Sequence, residues 1–124
     1  MESVVEISSA SLAPSKSLLN RALVVQSFFP DLKLLYNENF LSDDVLHLRK
    51  SLLNISNENV FDCGEGAAPL RFLAIRLSRL KGRFEIYGSE RLLSRPHDSL
   101  VSVLEQLGCR DIRLTKTSLS FESS

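Results

Sequence analysis

Lys16, Ser17 and Arg21, in "PSKSLLNRALVV" (residues 14–25), gather an ammonium, a hydroxyl and a guanidinium at the start of a segment with helical spacing. Ser17 and Arg21 are four residues apart and share a helix face. Ser15 suits the N-cap. The amino end of a helix carries unpaired N–H groups and partial positive charge, so a lysine there is either a tolerated solvent residue or has something negative in front of it. Those groups together suit a phosphate or a carboxylate. Two more segments bring cations to similar joints. In "FDCGEGAAPLRFL" (61–73), Arg71 follows a turn of small residues where a ligand can approach the backbone closely. In "GSERLLSRPHD" (88–98), Arg91 and Arg95 are four apart, and Pro96 fixes the chain just after Arg95. Taken singly, each cation is equally a solvated side chain, and strand–Gly–helix joints also occur simply to make a turn. All three segments nevertheless lie where a strand or loop feeds a helix amino end. If those ends converge, the site holds multiply charged anions. The residues themselves carry the reading to small phosphorylated or carboxylated compounds and no further.

The totals narrow the classes. The 124 residues fit one small domain or one piece of a larger one, and 44% are apolar, enough for a packed core. Fifteen basic residues balance fifteen acidic ones, which leaves no general attraction for nucleic acid or an anionic membrane. No apolar run approaches the ~18 residues of a membrane span. The start, "MESVVEISSA", does not have the pattern of a secretion signal, so a soluble, cytoplasmic protein is expected. Cys63 and Cys109 lack a CxxC or Cys/His spacing, and His47 and His97 are isolated, so no metal and no cofactor is expected. Buried free thiols are expected rather than a disulfide.

The elements that must position these residues alternate. "SVVEIS" (3–8) reads as a strand, "SLLNRALVVQSFF" (17–29) as a helix stopped by Pro30 and Asp31, and "LKLLYN" (32–37) as a strand. "SDDVLHLRKSLLNI" (42–55) reads as a helix with Ser42 as N-cap and Asp43 and Asp44 in its first turn. The order then begins again: strand "ENVFDCG" (58–64), helix "AAPLRFLAIRLSRL" (67–80) with Pro69 in its first turn, and strand "RFEIYG" (83–88). A helix within 95–109 closes at Gly108, and "DIRLTKT" (111–117) and "SLSFES" (118–123) finish as a hairpin. The fold class is α+β, a mixed α/β chain in which the unit is used twice, at approximately 1–56 and 57–124. Each copy is expected to bury a sheet face under helices.

Four segments resemble the beginning of 5-enolpyruvylshikimate-3-phosphate synthases: "APSKSLLNRALVV", "LSDDVLHLRKSL", "DCGEGAAPLRFLA" and "ERLLSRPHDSLVSVLEQLGC". They fall in the family's order and cover nearly the whole chain. The resemblance implies two βαβαββ-type units of one enolpyruvyl transferase lobe. It implies transfer of an enolpyruvyl group from phosphoenolpyruvate to shikimate 3-phosphate in aromatic amino-acid synthesis. On the same resemblance, Lys16 matches a lysine that contacts both phosphoenolpyruvate and the substrate, Arg95 matches an arginine of the phosphoenolpyruvate site, Ser17 and Arg21 hold shikimate 3-phosphate, and Arg71 and Arg91 match further family arginines. Where the family has Asn-x-Gly-Thr, this chain has Glu65, Gly66, Ala67 and Ala68, then Pro69 in place of another common Thr. A carboxylate there repels phosphate, so weaker phosphoenolpyruvate binding is expected. Members are several times longer, with the acid and base of the reaction in a second lobe, so the chain alone is expected to be inactive without the remainder of the enzyme. The UDP-N-acetylglucosamine enolpyruvyl transferases share the fold but usually carry Lys-Asn in place of Lys16-Ser17, and a reactive loop cysteine that neither Cys63 nor Cys109 matches. A non-catalytic binding or assembly module is the alternative from another class. A related fold occurs in RNA-processing enzymes, but balanced charge and few aromatics argue against nucleic acid.

Overall fold

The computed structural model describes residues 3–7 and 15–124. The loop "SASLAPSK" read between the first strand and helix lies mostly outside the described residues. β1 (Ser3–Glu6), α1 (Lys16–Phe28) and β2 (Leu32–Leu35) form a strand–helix–strand unit whose strands pair in parallel. A 3-10 turn (Glu38–Phe40) leads to α2 (Asp43–Leu53). β3 (Val60–Asp62), α3 (Ala67–Leu77) and β4 (Gly82–Tyr87) repeat the unit, again with parallel strands. A short α4 (Glu90–Leu93), α5 (Asp98–Gln106) and the hairpin β5 (Arg110–Leu114) and β6 (Ser118–Ser123) complete the chain. The second sheet has the order β3–β4–β6–β5, with β6 antiparallel to both neighbours. The fold is α+β, as expected, with a two-stranded and a four-stranded sheet.

Local chemistry sets the ends of the helices. Ser15 Oγ accepts the Leu18 N–H at the start of α1, and Ser42 Oγ accepts that of Val45 at the start of α2. Both are the expected N-caps. At the end of α5 the Cys109 N–H returns to the Leu104 carbonyl and the Gly108 N–H to Glu105. That is the Schellman arrangement, and Gly108 takes its left-handed position at φ 92°. The helix expected to run to residue 80 stops at Leu77. Ser78 is its C-cap, and a turn of residues 78–81 carries the chain to Gly82, the first residue of β4.

One buried cluster spans both halves. Leu19 and Leu23 of α1 meet Val45, Leu48 and Leu52 of α2, and Leu70, Leu73, Ala74 and Leu77 form the buried stripe of α3. These positions recur three and four apart, the period that keeps one helix face inward. Phe84 and Ile86 alternate along β4 and pair across the sheet with Phe121 and Leu119. The Phe84 and Phe121 rings lie 6.1 Å apart with planes tilted by 53°, a favourable aromatic geometry. The buried Arg76 of α3 ties the halves together. Its Nε donates to Ser27 Oγ at 2.7 Å, and its guanidinium lies 3.8 Å from the centre of the Phe28 ring at the end of α1.

Candidate functional site

Lys16 is the first helical residue of α1, and the negative group in front of it is Asp44. Lys16 Nζ lies 2.7 Å from Asp44 Oδ2. Asp44 sits in the first turn of α2, where a carboxylate complements that helix's own positive end, so it answers two charges at once. The same carboxylate reaches a third helix. Gly66, the N-cap of α3, has the Asp44 carboxylate so close that a Cβ built there would lie 2.7 Å from Oδ1. Any side chain at residue 66 would displace Asp44 or Pro69. The fourth helix start joins through the loop before α3. The Ser89 N–H donates to the Gly64 carbonyl at 2.9 Å, and Ser89 Oγ caps α4 by accepting the Leu92 N–H. Gly64 itself has a φ of 64° and packs against the His47 ring of α2. The amino ends of α1, α2, α3 and α4 are therefore linked by direct contacts.

The six cations and hydroxyls singled out in the sequence fall into groups. Ser17 and Arg21 share a face of α1, where Arg21 Nη1 donates to Ser17 Oγ at 2.9 Å, which steadies the guanidinium. Arg91 and Arg95 line a cleft of about 200 Å³ together with Glu65, Ser89 and Leu92. Lys16, Ser17, Arg21 and Arg71 do not line it. Arg71 is exposed further along α3. Among the described residues, Arg21, Arg71, Arg91 and Arg95 make no ion pair. Glu65 is the acidic wall of the arginine cleft.

The segment around Arg91 differs from its sequence reading. "ERLL" forms the short α4 rather than a loop, because Ser89 caps it and Glu90 complements its positive end. Arg95 follows that helix and precedes α5, whose N-cap residue, His97, makes no side-chain capping bond. The buried His97 instead donates from Nε2 to the Leu92 carbonyl at 2.8 Å. That bond ties the end of α4 to the start of α5 on either side of Arg95. The signal for α4 was present in the sequence: a serine, then an acid, then paired leucines.

Two residues escaped notice. Asp44 reads as an ordinary first-turn acid until the structure places it on Lys16. Asn20, in the middle of the α1 motif, is 1% exposed, and its Oδ1 is the one buried side-chain oxygen or nitrogen without a hydrogen-bond partner among the described residues. A polar residue next to Leu19 on the buried stripe was the available clue. Both cysteines are buried and free. Burial pushes the Cys63 thiol up to about 12, with the Asp62 carboxylate adding to the effect, so this sulfur is no nucleophile at neutral pH. A larger groove of about 530 Å³ lies along α2 and β3 and is lined in part by Asp43, His47, Lys50 and Asp62. No group of three or more His, Cys, Asp or Glu suited to a metal ion occurs among the described residues, and no helix there is long and apolar enough to cross a membrane.

No family model matches the chain, and no solved structure matches it. A curated protein does. The chain is 34% identical over 97 residues to a 3-phosphoshikimate 1-carboxyvinyltransferase of Bacteroides fragilis (strain YCH46), a match that takes in 78% of this chain. It spans 23% of the length of that relative. The chain is thus similar, over most of its own length, to a part of a carboxyvinyl transferase.

Proposed function

We propose that this chain belongs to the 3-phosphoshikimate 1-carboxyvinyltransferase family and supplies part of its substrate site. The reaction moves the enolpyruvyl group of phosphoenolpyruvate onto shikimate 3-phosphate and releases phosphate, in the cytoplasm. Residues 1–56 and 57–124 are then two βαβαββ-type units of one lobe, the first short of its hairpin, and the remainder of the enzyme completes the site. The observation that carries this reading is the 34% identity over 97 residues. The contacts that join the helix starts give it a physical basis.

The residues divide the work by charge. Arg21, steadied by Ser17, offers a planar fork to the phosphate of shikimate 3-phosphate. Lys16 exchanges the Asp44 carboxylate for a ligand oxyanion. Arg95 and Arg91 face the phosphate or carboxylate of phosphoenolpyruvate across their cleft, and Arg71 adds positive potential from α3. Glu65 opposes an anion in that cleft, so phosphoenolpyruvate binds more weakly than the phosphorylated sugar acid. No general acid or base is assigned. Addition and elimination at the enol need both, and the Lys16–Asp44 pair is a mutual ion pair rather than two groups held apart for proton transfer.

A second reading, a binding or assembly module without catalysis, draws on the same observations. Lys16 is already neutralised from within, and Glu65 shares the arginine cleft. Calorimetric titration of the purified chain with shikimate 3-phosphate separates the two. Binding by the parent that is lost in both Lys16→Ala and Arg21→Ala, with unchanged circular dichroism, supports the substrate site. A folded parent that takes up no ligand supports the module.

A further inference from the structure

β3 is an edge strand: in the sheet order β3–β4–β6–β5 it has a strand neighbour on one side only. The register fixes which of its backbone groups are free. The Glu85 N–H donates to the Asn59 carbonyl, and the Cys63 N–H to the Tyr87 carbonyl. In a parallel ladder every second residue of a strand turns its backbone groups to the same neighbour, so Phe61, between Asn59 and Cys63, also faces β4. Val60 and Asp62 therefore turn their N–H and C=O groups outward, and these groups have no partner among the described residues. An unpaired edge of this kind is a template for another strand.

This edge does not simply face bulk water. It forms one wall of the groove of about 530 Å³, and α2 forms the other. Asp43, Leu46, His47, Lys50 and Asn54 line the helical wall. Their spacing of three and four puts them on one face of α2, beside the buried stripe of Val45, Leu48 and Leu52. A strand laid against β3 alternates its side chains between two environments. Towards the helix lies Leu46, an apolar side chain 39% exposed. On the other face lie the exposed side chains of Val60 and Asp62, with Glu58 just before them. Three carboxylates, Asp43, Glu58 and Asp62, line the groove against the single ammonium of Lys50. None of the four makes an ion pair among the described residues.

We infer that this groove takes up an extended, basic segment of another polypeptide, which joins the sheet as a strand beside β3. Main-chain hydrogen bonds to Val60 and Asp62 hold it, its lysines or arginines face Glu58 and Asp62, and its alternate apolar side chains lie on Leu46. In strand addition the backbone supplies affinity and the alternate side chains supply specificity. β3 has three residues, roughly 10 Å of strand, so the contact is short, weak and salt-dependent.

The probe is the blocked peptide acetyl-Lys-Val-Lys-Val-Lys-Val-amide, titrated into the isotope-labelled 124-residue chain and followed by NMR. Saturable shifts are expected at Val60, at Asp62 and along the groove face of α2, with slowed amide exchange at Val60 and Asp62. The same peptide with Glu in place of Lys should bind at least about tenfold more weakly. The double variant Glu58→Gln/Asp62→Asn should weaken the lysine peptide roughly threefold to tenfold. Asp62 Oδ1 accepts the Gly64 N–H, and an asparagine oxygen can still do so. Val60→Pro removes an outward N–H but no bond of the β3–β4 ladder, so it should weaken binding at least about fivefold with the β4 amides still protected. A parent that shows no saturable shift overturns the proposal. So do shifts that lie away from the groove, or equal affinity for the glutamate peptide. Self-association in sedimentation equilibrium that Val60→Pro abolishes would put a second copy on the edge and overturn the choice of occupant. Should Val60→Pro unfold, the parent's amide exchange and the charge-neutral double variant still decide the matter: protection at Val60 and Asp62 must appear with the peptide, and the double variant must lose affinity.

Discussion

A lysine at the amino end of a helix is a small electrostatic error unless something corrects it, and here Asp44 does so from the start of the neighbouring helix. The pair is partly exposed, with side-chain accessibilities of 53% for Lys16 and 26% for Asp44, so water and salt screen it. Lys16→Ala should therefore cost less than about 1 kcal/mol of unfolding free energy in urea titrations. Its effect on ligand binding can then be read without a folding artefact. Asp44→Asn tests the role of the carboxylate from the other side. If a ligand anion must displace Asp44, removing its charge should tighten shikimate 3-phosphate binding severalfold by calorimetry. Unchanged or weaker binding would show that Asp44 does not compete with the ligand. Cys63 gives a prediction in pH. Its thiol is pushed from the ordinary 9.0 up to about 12, chiefly by burial. Between those values the unfolded chain gives up this proton while the native protein keeps it, so the native state binds more protons and stability falls as pH rises. Cys63→Ala removes that contribution. The urea midpoint of the variant should decline less steeply than that of the parent between about pH 8 and pH 11.

At the scale of elements, two contacts decide more than their size suggests. Arg76 reaches from α3 to the end of α1, where it donates to Ser27 and covers the Phe28 ring. The end of α1 has no basic residue of its own in its last turn, so the charge comes from another helix. Arg76→Met keeps much of the stem but leaves the Ser27 acceptors without a donor, and should cost about 1–3 kcal/mol in chemical denaturation. Gly108 at φ 92° has nothing within 4 Å of where a Cβ would be. The cost of Gly108→Ala is then conformational alone, about 1 kcal/mol, and a much larger loss would reveal a contact not seen here. Most of the elements were legible because each carries its own punctuation. Ser15 and Ser42 mark starts, Pro30 and Gly108 mark ends, and the leucine spacing of α3 leaves little choice of period. What was not legible depends on distance. Nothing near Lys16 in sequence announces Asp44, which is twenty-eight residues away. The order of strands within the second sheet is a matter of which strands pair, and strand spacing does not encode that. Arg91 and Arg95 could be named in advance, but their common cleft with Glu65 exists only once α4 forms.

For the molecule as a whole, the charges at the helix starts argue for binding without turnover. The Ser17–Arg21 group, the Lys16–Asp44 pair and the Arg91–Arg95 cleft are the groups that the proposed function assigns to anions. Enolpyruvyl transfer needs more than anion contacts. A group must take the proton of the attacking hydroxyl, and another must protonate the methylene carbon and later release it. The carboxylate and ammonium closest to that task here, Asp44 and Lys16, hold each other at 2.7 Å, and the buried Cys63 keeps its proton far above neutrality. The expected outcome is a chain that binds shikimate 3-phosphate in calorimetry yet releases no phosphate above the uncatalysed rate when phosphoenolpyruvate is added. A continuous phosphate-release assay at millimolar substrates is sensitive enough to decide, because turnover well below the usual range of roughly 1–1,000 per second would still be visible. Release that disappears in Lys16→Ala would assign the Lys16–Asp44 pair a chemical role after all and would overturn the division between binding and catalysis drawn here.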